Sequence, residues 1–111
     1  MLADWKVGAP YHYWKFKAAV DTLAGSEPSL RKRIEYALIT MVPVLDHDLD
    51  GEVLDLWLEL KAQVTWKQDG DPTEGLWRNT LAAMSDDDAQ KASETIIRLF
   101  EATVRQASLS K

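Results

Sequence analysis

The sequence predicts an all-α fold: a compact bundle or orthogonal array of about five helices in a single domain. Apolar residues recur at intervals of three and four along five stretches of the chain, as on one face of a helix. Helix start and stop signals bound these stretches. No stretch alternates apolar and polar residues between turn signals, so strands are not indicated. With 111 residues, 46% of them hydrophobic, the chain can build one core and has no room for a second.

The first predicted helix runs from about Pro10 to Ala24. Proline suits the first turn, where its missing N–H costs nothing, and Gly25 suits a left-handed position after the last turn. The second helix is predicted to begin after Ser26 as N-cap and to end at Pro43, which cannot continue a helix. Their inner faces are expected to carry Tyr13, Phe16, Val20 and Leu23 in the first helix, and Leu30, Ile34, Ala37, Leu38, Met41 and Val42 in the second.

Three further helices follow. The third spans about Gly51 to Lys67, and its apolar residues cover more than half of its circumference, which indicates a central helix or one partly covered by a second chain. The fourth starts at residues 71–74, where Asp, Pro and Glu form a strong start signal. The last starts at Ser85, a capping serine followed by three aspartates at the positive end of the helix dipole. The apolar residues of the third helix are Val53, Leu54, Leu56, Trp57, Leu58, Leu60, Val64 and Trp66.

Composition limits the setting and the chemistry. A formal net charge of −5 disfavours a uniformly basic nucleic-acid binder, and the absence of Cys excludes disulfides, thiolate metal sites and Cys nucleophiles. No secretory signal is recognisable at the N-terminus, and no apolar run reaches the roughly 20 residues of a membrane span. We therefore expect a cytoplasmic protein that does not enter membranes, with residues 1–9 as an N-terminal arm and residues 105–111 as a tail that can fray.

The segment from Asp46 to Val53 is similar to the first half of an EF-hand calcium loop. Asp46, Asp48 and Asp50 stand at the first, third and fifth positions, and Gly51 follows at the sixth. The twelfth position breaks the pattern, because Trp57 replaces the bidentate glutamate. The same residues also fit a helix cap, with Asp50 as N-cap and a hydrophobic staple between Leu49 and Leu54. Weak Ca²⁺ binding at the three aspartates is therefore kept as an alternative function, and no other cofactor is expected.

Enzyme signatures are not found. His12 and His47 could each act as a general base, but no nucleophile can be paired with either from the sequence. The run Arg31–Arg33 could contact phosphates, so nucleic-acid contact is a third hypothesis. Adjacent residues of a helix point in different directions, however, which favours the interpretation that these side chains are simply exposed to solvent. We predict that the protein is not an enzyme and that nucleic acid is not its main partner.

Aromatic residues suggest binding to another protein. They crowd the first sixteen positions, and helical phase places Tyr11 and Trp14 off the face that carries Phe16. Trp and Tyr are frequent interface anchors. We therefore predict an adaptor, a regulator or inhibitor, or a small phage-type assembly component, which self-associates most simply as a twofold dimer. The predicted contact residues are Trp5, Tyr11, Tyr13, Trp14, Trp57 and Trp66.

The calcium alternative gives a direct prediction. If the loop binds a cation, isothermal titration with millimolar Ca²⁺ should show heat, and the melting temperature should rise with Ca²⁺ concentration. Affinity should be weak because the ligand at the twelfth position is missing. Absence of both signals would rule the alternative out.

Overall fold

A computed structural model describes residues 10–66 and 76–109 of the chain. These residues form five α-helices and no strand, which confirms the all-α prediction. A short 3₁₀ turn, Asp46–Asp48, lies between the second and third helices. None of the described helices is both long and apolar enough to cross a lipid bilayer. The helices are α1 (Tyr11–Leu23), α2 (Leu30–Met41), α3 (Gly51–Val64), α4 (Leu76–Ala83) and α5 (Asp86–Leu109).

One core lies between the helices. α1 packs extensively against α2, and the long helix α5 packs against α1, α2 and α3, while α4 contacts α2 and α3. α1 and α2 bury most of the apolar stripe that their spacing predicts, but the prediction is wrong for Val42, which is 54% exposed at the end of α2. In α3 the buried stripe is limited to four residues at intervals of three and four. The largest fully buried apolar side chains are Phe16, Ile34, Met41, Val53, Leu60, Ile96 and Leu99.

Two predictions, for the end of α1 and for the start of α2, are wrong. Gly25 is not left-handed: α1 ends in Ala24, which keeps a right-handed helical conformation and donates its N–H to Val20 at 3.0 Å. The N-cap of α2 is Ser29 and not Ser26, because the Ser29 hydroxyl accepts the N–H of Lys32. Pro28 explains the later start, since a proline disfavours the helical conformation of the residue before it. The end of α2 just before Pro43 is confirmed.

The remaining boundaries follow the sequence closely. α3 begins at Gly51 as predicted and ends at Val64, three residues before the predicted end. Ser85 caps α5, since its hydroxyl accepts the N–H of Asp88 at 3.1 Å. α5 continues to Leu109, through most of the predicted tail. The start signal at 71–74 and the N-terminal arm 1–9 lie outside the described residues.

Arg31 connects helices that are far apart in the sequence. From the first turn of α2 its guanidinium donates to the carbonyl oxygens of Leu81 and Met84, at 3.1 and 2.6 Å, and to Asp86 Oδ1 at 2.9 Å. The first two acceptors lie at the C-terminal end of α4, where carbonyl groups lack partners within the helix. Arg31 therefore acts as a side-chain cap that fixes the turn between α4 and α5 against α2.

We predict that Arg31→Ala lowers the free energy of unfolding by about 2 kcal/mol, because three hydrogen bonds from a charged donor are lost. The matched control is the exposed neighbour Lys32, for which substitution by Ala should change stability by no more than about 0.5 kcal/mol. Urea denaturation of both variants measures the difference. Equal effects at the two positions would contradict the structural role given to Arg31.

Candidate functional site

Two of the predicted contact aromatics on α1 are exposed. Tyr11 is 58% and Trp14 46% accessible to solvent, and the Lys15 ammonium lies over the Tyr11 ring at 5.3 Å. Tyr13 is only 2% accessible, so its inclusion among the contact residues is corrected. Helical phase explains the difference, because Tyr13 lies on the inner face with Phe16 while Tyr11 and Trp14 are rotated away from it.

Trp57, also predicted as a contact residue, lies in the core. Its side chain is 7% accessible, its ring lies 5.7 Å from that of Phe16, and its Nε1–H donates to Asp46 Oδ1 at 2.7 Å. A tryptophan at the centre of a core needs such a partner for its N–H. Trp66, two residues after the end of α3, is half exposed as the prediction requires. Trp5 lies outside the described residues.

Sequence reasoning missed an apolar groove between α2 and α3. It has a volume of about 220 Å³ and is lined by α2, by the link that follows Pro43 and by α3. Val42, at its edge, is 54% exposed, and the polar residues that line the groove are Lys61 and Thr65. The uncharged stretch 36–45 was the available signal, since its last residues turn from helix to extended link. The buried side chains that line the groove are Leu38, Met41, Val44, Trp57, Leu60 and Val64.

Two further half-exposed apolar residues lie close in the sequence to residues that line the groove. Leu45 is 51% exposed and directly follows Val44, which lines the groove. Leu58 is 46% exposed and lies one helical turn before Lys61, on the same side of α3. The open apolar groove with its half-exposed edge residue Val42 is a surface of the kind that marks binding sites in small proteins.

The segment that supplies α3 and the end of α2 is acidic overall. Residues 37–66 contain six carboxylates and, as bases, Lys61 and one histidine. Residues 10–36, which form α1 and most of α2, contain five basic and three acidic side chains. Residues 37–66 are therefore net negative, and residues 10–36 are net positive.

The Asp46–Asp50 loop has its own internal partners. Lys61 Nζ contacts both carboxylate oxygens of Asp46, at 3.0 and 3.2 Å, and Trp57 donates to one of them. The residue that replaces the twelfth calcium ligand thus binds the residue at the first position. Among the described residues, no group of three or more His, Cys, Asp or Glu side chains is placed to hold a metal ion. Ca²⁺ binding at Asp46, Asp48 and Asp50 stays a prediction.

The Asp50 side chain does not cap α3 as the sequence predicts. Asp50 occupies the N-cap position of α3, but its carboxylate makes no capping hydrogen bond. Its carbonyl oxygen instead accepts the N–H of Leu54 and the Gln106 amide, both at 3.2 Å. Gly51 follows with φ of 56°, the left-handed region that favours glycine, so the glycine is required by the turn.

Three of the basic and histidine side chains singled out in the sequence, Arg31, Arg33 and His12, have structural partners. Arg31 binds the turn between α4 and α5, as described above, and Arg33 Nη1 donates to the last carbonyl of α1, Leu23 O, at 2.8 Å. Lys32 is the exposed member of the run. His12 is 8% exposed against the Phe16 ring, and burial lowers its pKa although Asp48 and Asp50 act in the opposite direction. Burial thus favours the neutral imidazole.

Comparison of the chain with protein-family models, with curated proteins and with solved structures gives no match. The function is therefore inferred from the geometry and chemistry of the surfaces described above.

We predict that Asp46→Asn destabilises the protein by about 1 kcal/mol at neutral pH, because the asparagine cannot pair with the Lys61 ammonium. Hydrogen bonds from Lys61 and then from Trp57 hold the pKa of Asp46 below its ordinary value of 3.8. A lowered folded pKa contributes stability that is complete above the unfolded pKa and is lost as the pH falls through the folded value.

The difference between wild type and Asp46→Asn should therefore shrink as the pH is lowered below about 4, and thermal melts across an acid pH series measure it. Asp55→Asn, at an exposed carboxylate of α3, is the control and should stay within about 0.5 kcal/mol of wild type. A difference that persists undiminished at the acid end would show that the carboxylate charge is not its source.

Proposed function

We propose that the protein acts by binding another protein, and that the apolar groove between α2 and α3 is the binding site. The observation that carries this proposal is an open groove of about 220 Å³ whose buried lining is apolar and whose edge residue Val42 is half exposed. Apolar surface that is exposed to water in the isolated protein is unfavourable in free energy. Covering it with a partner removes this cost.

The size and lining of the groove favour an apolar side chain over a small-molecule substrate. Ligand sites usually enclose about 300–1,000 Å³ and bring several polar groups together, whereas an apolar cavity of about 150 Å³ suffices for one benzene ring. This groove lies between those sizes and presents Lys61 and Thr65 as its polar residues, and Lys61 is already paired with Asp46. It suits one large apolar anchor residue.

The shape and charge of the surroundings define the partner further. A groove between two helices suits an amphipathic helix whose apolar residues repeat at intervals of three and four. The six carboxylates of residues 37–66 favour a partner with lysine or arginine beside its apolar anchors. Adaptor, regulator and assembly roles are all compatible with such a site.

A pair of synthetic peptides tests the proposal. One is an amphipathic helix with leucine on its apolar face and lysine on its polar face, and its twin carries glutamate in place of every lysine. We expect fluorescence anisotropy to show binding of the lysine peptide at least tenfold tighter than that of the glutamate peptide, because only the first is opposite in charge to residues 37–66, which are net negative.

Two variants of α2 show whether the peptide uses the groove. Val42→Gln should weaken binding of the lysine peptide by about tenfold, the loss expected when burial of one valine is removed. Ile39→Gln is the matched control, since Ile39 is a 43% exposed β-branched residue on the same helix that does not line the groove. Equal affinity for both peptides, or equal loss in both variants, would contradict the proposal.

A further inference from the structure

We propose that Trp5 of the N-terminal arm, residues 1–9, occupies the groove between α2 and α3 of its own copy, so that a partner protein must displace it. The inference rests on the proposed function, because it names the residue that competes with the partner for the same groove. It is carried by the place where the arm is attached, by the reach of the arm and by the fit of an indole ring to the lining of the groove.

The arm is attached beside the groove. Pro10, which follows the arm, lines a cavity of about 250 Å³ together with Tyr11 and Val44. Val44 also lines the groove, so the cavity and the groove meet at this residue. Pro10 has an extended backbone, with φ of −66° and ψ of 159°, and α1 begins only after it. The arm therefore starts from an extended residue at the edge of the groove.

The reach of the arm exceeds the length of the groove. Five residue steps separate Trp5 from Pro10, and an extended chain spans at most about 3.4 Å per residue, which gives a reach of about 17 Å. Along α3 the groove extends from Trp57 to Val64, and seven helical steps of about 1.5 Å amount to about 10 Å. Trp5 can therefore enter the groove without a second chain.

An indole ring fits the apolar lining of the groove. The groove has a volume of about 220 Å³, and a cavity of about 150 Å³ accepts a benzene ring, so there is room for the second ring of an indole. Met41 belongs to the lining, and contacts between a methionine sulfur and an aromatic ring are favourable. Trp5 is the largest apolar residue of the arm, which also contains Leu2 and Val7. Size therefore favours Trp5 as the anchor.

The edge of the groove offers an acceptor for the indole N–H. A tryptophan that becomes buried usually finds a hydrogen-bond partner for this donor. Thr65 lines the groove, and its hydroxyl donates its own hydrogen to the carbonyl oxygen of Lys61 at 2.5 Å. A hydroxyl oxygen that donates in this way can still accept a hydrogen bond. Leucine and valine side chains have no use for this acceptor, so the lining favours tryptophan again.

An anchor on the same chain competes strongly with a free partner. A short tether gives the arm an effective concentration on the order of millimolar at the groove. The partner binds only the fraction of molecules from which Trp5 has left, and its apparent affinity falls in proportion to that fraction. The arm therefore sets the affinity that a partner must exceed.

Methionine methyl groups report whether Trp5 is in the groove. The chain contains three methionines, Met1, Met41 and Met84, and methyl-labelled methionine gives each of them an NMR signal. Met41 lines the groove, whereas Met84 is buried and does not. Because an aromatic ring shifts the signals of methyl groups that it contacts, Trp5→Ala should move the Met41 signal and leave that of Met84 in place. The control in the same arm, Lys6→Gln, should move neither.

A second NMR measurement needs no substitution. In wild type we expect a nuclear Overhauser effect between the Met41 methyl group and the Trp5 ring, so the test does not depend on a variant that folds. The Met41 signal should also keep its position on dilution, because the contact lies within one copy. A position that changes with concentration would place Trp5 of another copy in the groove and would overturn the inference.

The lysine peptide measures the competition. We expect Trp5→Ala to bind this peptide about tenfold tighter than wild type does, because the arm no longer occupies the groove. Lys6→Gln should stay within about twofold of wild type, since it changes only one exposed charge. Fluorescence anisotropy measures all three affinities, and melting temperatures show that the variants are folded.

The outcomes separate this inference from the proposed function. Absence of the Overhauser effect in wild type, with a Met41 signal that Trp5→Ala leaves unchanged, would overturn the inference even if the peptide binds. Equal peptide affinity of wild type and Trp5→Ala would overturn the competition between arm and partner. A peptide that binds neither protein, although Trp5 contacts Met41, would overturn the proposed function and support the contact of the arm with the groove.

Discussion

The hydrogen bond from Trp57 Nε1 to Asp46 Oδ1, at 2.7 Å, joins the three parts of the molecule on which its binding surface depends. The Trp57 ring belongs to the core through its contact with Phe16 of α1. The same ring lines the groove between α2 and α3. Its N–H holds the loop that leads from α2 to α3, and Lys61 holds the same carboxylate from the next turn of α3. The floor of the groove and the path of the loop are therefore fixed by one side chain.

Local signals predicted the parts of the fold that depend on neighbouring residues. Helical phase placed Phe16 inside and Tyr11 and Trp14 outside, and the structure confirms all three. The stop at Pro43 and the Ser85 cap are likewise properties of a few adjacent residues. Where two local signals compete, as with two serines ahead of α2, the proline between them decided the outcome, and the first choice was wrong.

Features that depend on distant residues could not be predicted in the same way. Trp57 looked like one member of a wide apolar arc, and only its packing against α1 shows that it belongs to the core. Arg31 looked like part of a basic surface run, but its acceptors lie 50 or more residues further along the chain. The groove depends on the direction in which the chain leaves α2. The spacing of apolar residues in the sequence does not predict this direction. These contacts are tertiary, and propensity and periodicity carry no information about them.

The short helix α4 has a consequence for the order in which the chain folds. Its described part, Leu76–Ala83, contains eight residues, fewer than an isolated helix needs to be stable in water. The Arg31 side chain that caps it comes from α2, so the cap forms only after a loop of about 50 residues has closed. α1 and α2, in contrast, are joined by a short link and pack directly on each other. The α1–α2 hairpin can thus form early from local contacts, while α4 joins late and is among the first segments to exchange its amide hydrogens with solvent.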